Sequence, residues 1–222
     1  MAPPTTVVTV STNRLAAVGS KGRRPSRGAV HLGEAILDAA RKLCFAEGVD
    51  GISARKIAAQ VGCSATAIYG HYRNLDDVLH NLRMEGHALL ADYFRRVDPA
   101  LEPVERLREF GRAYYRFALE NPKYYEMMFL SRFKDLPRRE FVEREIFTLL
   151  LLRDVVQEGM RARLFRDDCD VIMLANAIWS QIHGLASLAI SGRLMVLNLP
   201  GGPDDPLETV LDCISAGVLR RS

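Results

Sequence analysis

The spacing of proline constrains this chain most. No proline stands between Pro25 and Pro99, or between Pro137 and Pro200. A helix interior rejects proline, which lacks the N–H and clashes with the turn before it. Long proline-free intervals therefore leave room for long helices, and the apolar residues inside them recur at helical spacing. Ile36, Ala39, Ala40, Leu43 and Cys44 share one face, and Val78, Leu82, Leu89, Leu90 and Phe94 continue the spacing. Period-two alternation of the strand kind is absent. Pro103, Pro122, Pro203 and Pro206 fall at joints, where a missing N–H is tolerated. The expectation is an all-α protein of about nine helices.

Charge is unevenly spread. Arg14, Lys21, Arg23, Arg24 and Arg27, with no acid among the first 30 residues, give +5; the whole chain carries +3, so the rest sums to −2. A basic arm ahead of a nearly balanced body is a footprint of nucleic-acid binding, and a solvated tail is the plainer alternative. The four cysteines, Cys44, Cys63, Cys169 and Cys213, form no CxxC pair. Neither a zinc site nor a disulfide framework follows, and reduced thiols of a cytoplasmic protein are expected. The N-terminus lacks the order of a secretory signal. The most apolar stretch, Val171–Ile190, is broken by Asn176, Ser180, Gln181, His183 and Ser187. It reads as a buried helix rather than a membrane span. No GxSxG, P-loop, HExxH or dinucleotide glycine pattern points to an enzyme, and no cofactor is implied. His80 and His87 share a helical face but sit two turns apart, about 10 Å, too far to hold one zinc.

The stretch VGCSATAIYGHYRNLDD, residues 61–77, carries the most chemistry. Ser53 is suited to cap a helix over Ala54–Val61, with Ile57, Ala58 and Val61 facing inward. Gly62 follows where a left-handed backbone turns the corner. Ser64 can cap the next helix, which buries Ile68. Small Ala58, the glycine corner and the Ile68 plug have the spacing of a helix-turn-helix, against which stands a helical corner with no DNA role. In the second helix Ala65, Thr66, Ala67 and Gly70 are small, so the backbone can approach base edges in a major groove. Tyr69, His71 and Arg73 offer donors suited to phosphates. Ser53, Arg55 and Lys56 flank the same groove from the preceding helix.

Residues 35–79, AILDAARKLCFAEGVDGISARKIAAQVGCSATAIYGHYRNLDDVL, resemble the N-terminal domain of tetracycline-repressor (TetR) family regulators. The order Gly62, Ser64, Ile68, Tyr69, His71, Tyr72 carries the match. The resemblance implies a dimeric, cytoplasmic repressor that binds a double-stranded operator and answers to a small-molecule effector. It places Ser53, Arg55, Thr66, Tyr69 and His71 where the family usually touches DNA. The family commonly has lysine where this chain has Leu75, which leaves Arg73 and the basic arm as the replacements for that phosphate contact. The expected division is a disordered basic arm over 1–28, a DNA-binding domain over 29–90, and a ligand-binding and dimerisation domain over 91–222.

In the body, WSQIHGLASLAISGRL, residues 179–194, resembles the Trp–x–x–x–His–Gly signature of one TetR C-terminal class. Trp179 and His183 lie four apart and share a face. Either they line a pocket or they are a core tryptophan and a satisfied core histidine. Phe110, Tyr114 and Phe117 share another face, with Tyr125, Met128 and Phe129 beyond. These residues are the candidate walls for an apolar or amphipathic effector, and plain core is the alternative. A helix over 168–191, apolar nearly all round, needs cover on both sides. A C-terminal helix after Pro206 carries a stripe of Leu207, Val210, Leu211, Ile214 and Val218; together the two helices are expected to form a four-helix homodimer interface. A thiol sensor at Cys63, in the turn of the motif, and a helical scaffold without DNA binding are the remaining alternatives.

Overall fold

The computed structural model describes residues 27–131, 139–194 and 206–220. Nine α-helices and no β-strand run through the described residues. The head contains α1 (Arg27–Glu47), a single 3₁₀ turn at Val49–Gly51, α2 (Ala54–Val61) and α3 (Ala65–Tyr69). Next, α4 (Leu75–Arg95) passes from head to body. The body adds α5 (Pro103–Glu120), α6 (Pro122–Tyr125) with a π-helical turn over Glu126–Leu130, α7 (Arg139–Arg161), α8 (Val171–Ile190) and α9 (Pro206–Val218). Proline opens α5, α6 and α9, where its missing N–H costs nothing. The basic arm lies outside the described residues up to Ser26, and α1 takes up its last two positions, Arg27 and Gly28.

Two apolar cores form. The head core joins Ile36, Ala39 and Ala40 of α1 to Ile57, Ala58, Ile68, Val78 and Leu82. The body core gathers α5, α7, α8 and α9 around Phe117, Tyr125, Val156 and Phe165. No break falls at residue 90, because α4 belongs to both cores: Val78 and Leu82 face the head, Leu90 and Phe94 the body. The π-helical turn spans them too. Met127 inserts into the head core, 3.9 Å from the Cys44 sulfur, while its neighbour Met128 packs in the body. Arg41 of α1 clamps Glu85 of α4 with two bonds of 2.8 and 3.0 Å, and the Tyr124 hydroxyl donates to the same carboxylate at 3.1 Å.

By length and composition α8 could cross a membrane. Here it packs against α5, α7 and α9. Its start is Val171 rather than 168, because the Asp170 side chain accepts from the backbone N–H groups of Ile172 and Met173 and caps the helix. The α9 stripe points inward. Leu207, Leu211, Ile214 and Val218 are all buried in the protomer's own core, and Val210 is half-buried. This corrects the expectation that the stripe meets a second subunit. The outer face of α9 instead exposes Thr209, Cys213, Ala216 and Gly217.

Candidate functional site

The helix-turn-helix is built by local hydrogen bonds. The Ser53 hydroxyl accepts from the Lys56 N–H at 3.3 Å and caps α2. Gly62 sits at φ 76°, ψ 32°, and its N–H closes onto the Ala58 carbonyl; a side chain there would strain the left-handed backbone. The Ser64 hydroxyl accepts from the Ala67 N–H at 3.1 Å and caps α3. Asn74 caps α4 by accepting from the Asp77 N–H at 2.8 Å, and Asp77 accepts in turn from the Arg73 N–H at 3.0 Å. Each cap satisfies donors that a helix start leaves orphaned. Tyr72 locks the corner to α1 by donating to the Gly33 carbonyl at 3.0 Å.

The residues expected to face DNA all reach the surface to some degree. Arg55, Lys56, Ser64, Thr66, Tyr69, Gly70, His71 and Arg73 are exposed, while Ser53, Ala65 and Ala67 are half-exposed. Tyr69 keeps 52% of its surface open, far more than a core tyrosine would. Gly70 has φ −74°, ψ −19°, ordinary right-handed values that any residue adopts. A Cβ there would stand 3.3 Å from the Ala67 carbonyl oxygen, a tight contact that glycine avoids. Lys56 is partly committed: its ammonium donates to the Gly51 carbonyl at 2.7 Å and pairs with Glu47. Cys63 is half-buried against the head core, and burial pushes the Cys44 thiol up, away from the reactive thiolate.

The body holds a partly open cavity of about 290 Å³. α4 supplies Arg83, His87, Leu90 and Phe94; α5 supplies Phe110, Gly111 and Tyr114; and the π-helical turn supplies Met128 and Phe129. Ile146, Thr148, Leu149 and Leu152 of α7 close one side. Ile178, Trp179 and Ile182 of α8 close another, with Leu211 and Ile214 of α9. Five of the expected wall residues are there: Phe110, Tyr114, Met128, Phe129 and Trp179. Phe117, Tyr125 and His183 are not. Phe117 is fully buried between α4 and α5, its ring 5.7 Å from that of Tyr93.

Tyr125 and His183 stand one layer back, in a polar chain. Trp179 Nε1 donates to the Tyr114 hydroxyl at 3.2 Å, and that hydroxyl lies 2.9 Å from His183 Nδ1. The Tyr125 hydroxyl is 2.7 Å from the same nitrogen and 2.9 Å from Ser187 Oγ. Burial pushes both phenols up and the His183 imidazole down, so the chain is neutral at pH 7. It holds the Tyr114 and Trp179 rings in place as wall. The sequence-based wall omits the α4 side of the cavity. A signal for it is present: Arg83, His87, Leu90 and Phe94 are spaced 4, 3 and 4 apart, one helical stripe.

The fold and these two features define a class: a helix-turn-helix protein with a cavity in its helical body. Comparison with known proteins gives the family. Residues 36–82 match the family described as bacterial regulatory proteins, tetR family, and residues 107–214 match the tetracyclin repressor-like C-terminal domain. The chain is 25% identical over 153 residues to the Bacillus subtilis protein named uncharacterized HTH-type transcriptional regulator YobS, covering 69% of this chain and 76% of that one. Solved structures share the fold. A TetR-family transcriptional regulator from Haemophilus influenzae superposes with TM-score 0.63 at 19% identity, over 88% of this chain and 100% of the other. A tetR-family regulatory protein from Rhodococcus RHA1 gives TM-score 0.61 at 20% identity, over 89% and 100%. The chain belongs to the TetR family of DNA-binding transcriptional regulators.

Proposed function

We propose that the protein is a repressor that grips operator DNA as a homodimer and lets go when a small apolar or amphipathic molecule fills the body cavity. The observation that carries this reading is α4. Its N-terminus follows directly on the corner that ends the recognition helix, and its other end lines the cavity with Arg83, His87, Leu90 and Phe94. A guest that tilts α4 moves the recognition helix with it. Within the head, Ala65, Thr66 and Gly70 read base edges, and Ser53, Arg55, Tyr69, His71 and Arg73 hold phosphates. Ser53 and Ser64 cap their helices as acceptors and keep a hydroxyl proton to donate.

One head offers only a short recognition helix, so two must engage half-sites about 34–36 Å apart. The outer faces of α8 and α9 suit the pairing: Met173 and Leu188 are exposed on α8, beside Cys213, Ala216 and Gly217 on α9. Effector and operator then weaken each other's binding by the same factor. Such a protein works in the cytoplasm, where the chromosome is. The test is selection of bound fragments from the source genome, followed by ligand affinity measured with and without the selected operator. Recovery of no preferred fragment, or equal ligand affinity in both states, refutes the reading.

A further inference from the structure

Two phenols meet at one ring nitrogen behind the cavity wall. The hydroxyls of Tyr114 and Tyr125 lie 2.9 and 2.7 Å from His183 Nδ1. A neutral imidazole nitrogen either accepts one hydrogen bond or donates one, so it cannot take both phenolic hydrogens. Tyr125 has two other acceptors in reach, the His183 carbonyl oxygen at 3.0 Å and Ser187 Oγ at 2.9 Å. Tyr114 lines the cavity beside Trp179, whose Nε1 donates to it at 3.2 Å. When Nδ1 carries no proton, Tyr114 can donate to it while Tyr125 donates elsewhere. Tyr125 can equally serve Nδ1 itself, and the Tyr114 hydrogen is then released without leaving the nitrogen bare. When Nδ1 carries the proton, it donates to a phenol and takes neither phenolic hydrogen. In both tautomers, therefore, the chain can spare the Tyr114 O–H for a guest. Burial pushes the Tyr114 phenol up, so the group stays a donor rather than a phenolate.

We propose that the effector is a neutral molecule of about two fused rings, bearing a hydrogen-bond acceptor that takes the Tyr114 hydroxyl hydrogen. Size follows from the void: about 290 Å³ is nearly twice the roughly 150 Å³ that holds one benzene ring in an apolar cavity. Leu90, Phe94, Phe110, Phe129 and Ile178 supply hydrocarbon and ring surface for such a body. Neutrality follows from the chain behind Tyr114, which holds no charge. An anion there would gain a hydrogen bond yet lose its hydration, which costs far more. An ammonium has donors only and cannot take the hydrogen. Tyr114 is then the residue that sets specificity, and Tyr125 takes its place at Nδ1. This inference rests on the reading of the cavity as the effector site.

The experiment uses the full chain, without DNA, and two probes of one shape: quinoline, whose ring nitrogen is an acceptor, and naphthalene, which has none. Equilibrium dialysis at neutral pH, where quinoline is uncharged, gives both affinities, each probe being read by its own absorbance. Tyr114→Phe keeps the ring and removes the hydroxyl. It should shift the ratio of the two affinities against quinoline by about fivefold, the worth of one neutral hydrogen bond, with naphthalene little altered. The substitution also frees the Trp179 N–H as a substitute donor, so Tyr114→Phe combined with Trp179→Phe is measured beside it and should show a fall at least as large. The inference is overturned if either variant keeps the unaltered ratio, or if neither probe binds. Should the variants fail to fold, the nitrogen resonance of ¹⁵N-quinoline bound to the unaltered protein decides: an upfield shift from its position in hydrocarbon supports the hydrogen bond, and the hydrocarbon position overturns it. Binding of both probes with a ratio indifferent to Tyr114 strikes the donor and leaves the effector cavity standing. Probes that obey the Tyr114 ratio yet never loosen the grip on operator count against release by effector and not against the donor.

Discussion

Acid should weaken this protein earlier than its carboxylates alone require, and His87 is the reason. Its imidazole is 7% exposed, and burial followed by the Arg83 charge pulls its pKa from 6.5 to about 4. An unfolded chain takes up that proton near pH 6.5, whereas the folded protein resists until about 4. Stability from a neutral His87 is thus complete above pH 6.5 and falls away as pH drops through the window towards 4. At 1.36 kcal/mol per unit, the decline relative to neutral pH is about 2 kcal/mol at pH 5 and about 3 kcal/mol at pH 4 as an upper bound. Glu208, held near 2 by Arg112 and Arg108, begins to cost stability only below its ordinary 4.5, so the interval from 6.5 to 5 is free of it. His183 is lowered by burial too and acts in the same direction, which makes a difference measurement necessary. Urea unfolding followed by helical circular dichroism at pH 7.5, 6 and 5, at one protein concentration, should show a steep decline for the unaltered chain. His87→Gln should remove about 2 kcal/mol of that decline at pH 5. Equal declines would mean that cavity water solvates the imidazolium and that burial at this wall costs far less than argued.

Thr66→Ala is expected to relax base preference at one position per half-site by about 1 kcal/mol, the low end for readout of a base, whereas Tyr69→Phe weakens all sequences alike; binding to a randomised operator library separates the two, and swapped effects would mean a different docking. Deleting residues 1–26 should flatten the slope of log affinity against log salt by about 0.9 for each phosphate the arm neutralises, and an unchanged slope would show that the arm does not touch DNA. Gly159→Ala should lower stability by about 1–3 kcal/mol despite the better helix propensity of alanine, because a Cβ there would overlap the ring of fully buried Phe165; a raised melting temperature would contradict this. Ala216→Glu, on the outer face of α9, should halve the sedimenting mass and depress operator affinity, while an unaltered mass would place the dimer interface elsewhere.

What the sequence determined by itself was whatever neighbours in the chain decide. Ser53, Ser64 and Asn74 cap their helices through bonds to N–H groups three residues on, and Gly62 turns its corner by its own φ. The helix-turn-helix could be read because nearly all its determinants lie within about twenty residues and act through backbone geometry. The all-α class was equally legible, since helical periodicity and proline exclusion are local too. Tertiary structure alone decided where helices fail to meet. A cavity is space left by five helices and a turn, so a helical stripe such as that of Arg83, His87, Leu90 and Phe94 marks a buried face but residue type does not separate wall from core: Phe110 and Phe117 have the same chemistry and share a helix, yet one lines the void and the other fills the core. The same holds for direction. Leu211 and Ile214 form an apolar stripe that could equally have faced a second subunit, and only the packing of α5 and α8 against α9 turned it inward. His183 stands behind the wall rather than in it because Tyr114 and Tyr125, from two distant segments, reach its ring first.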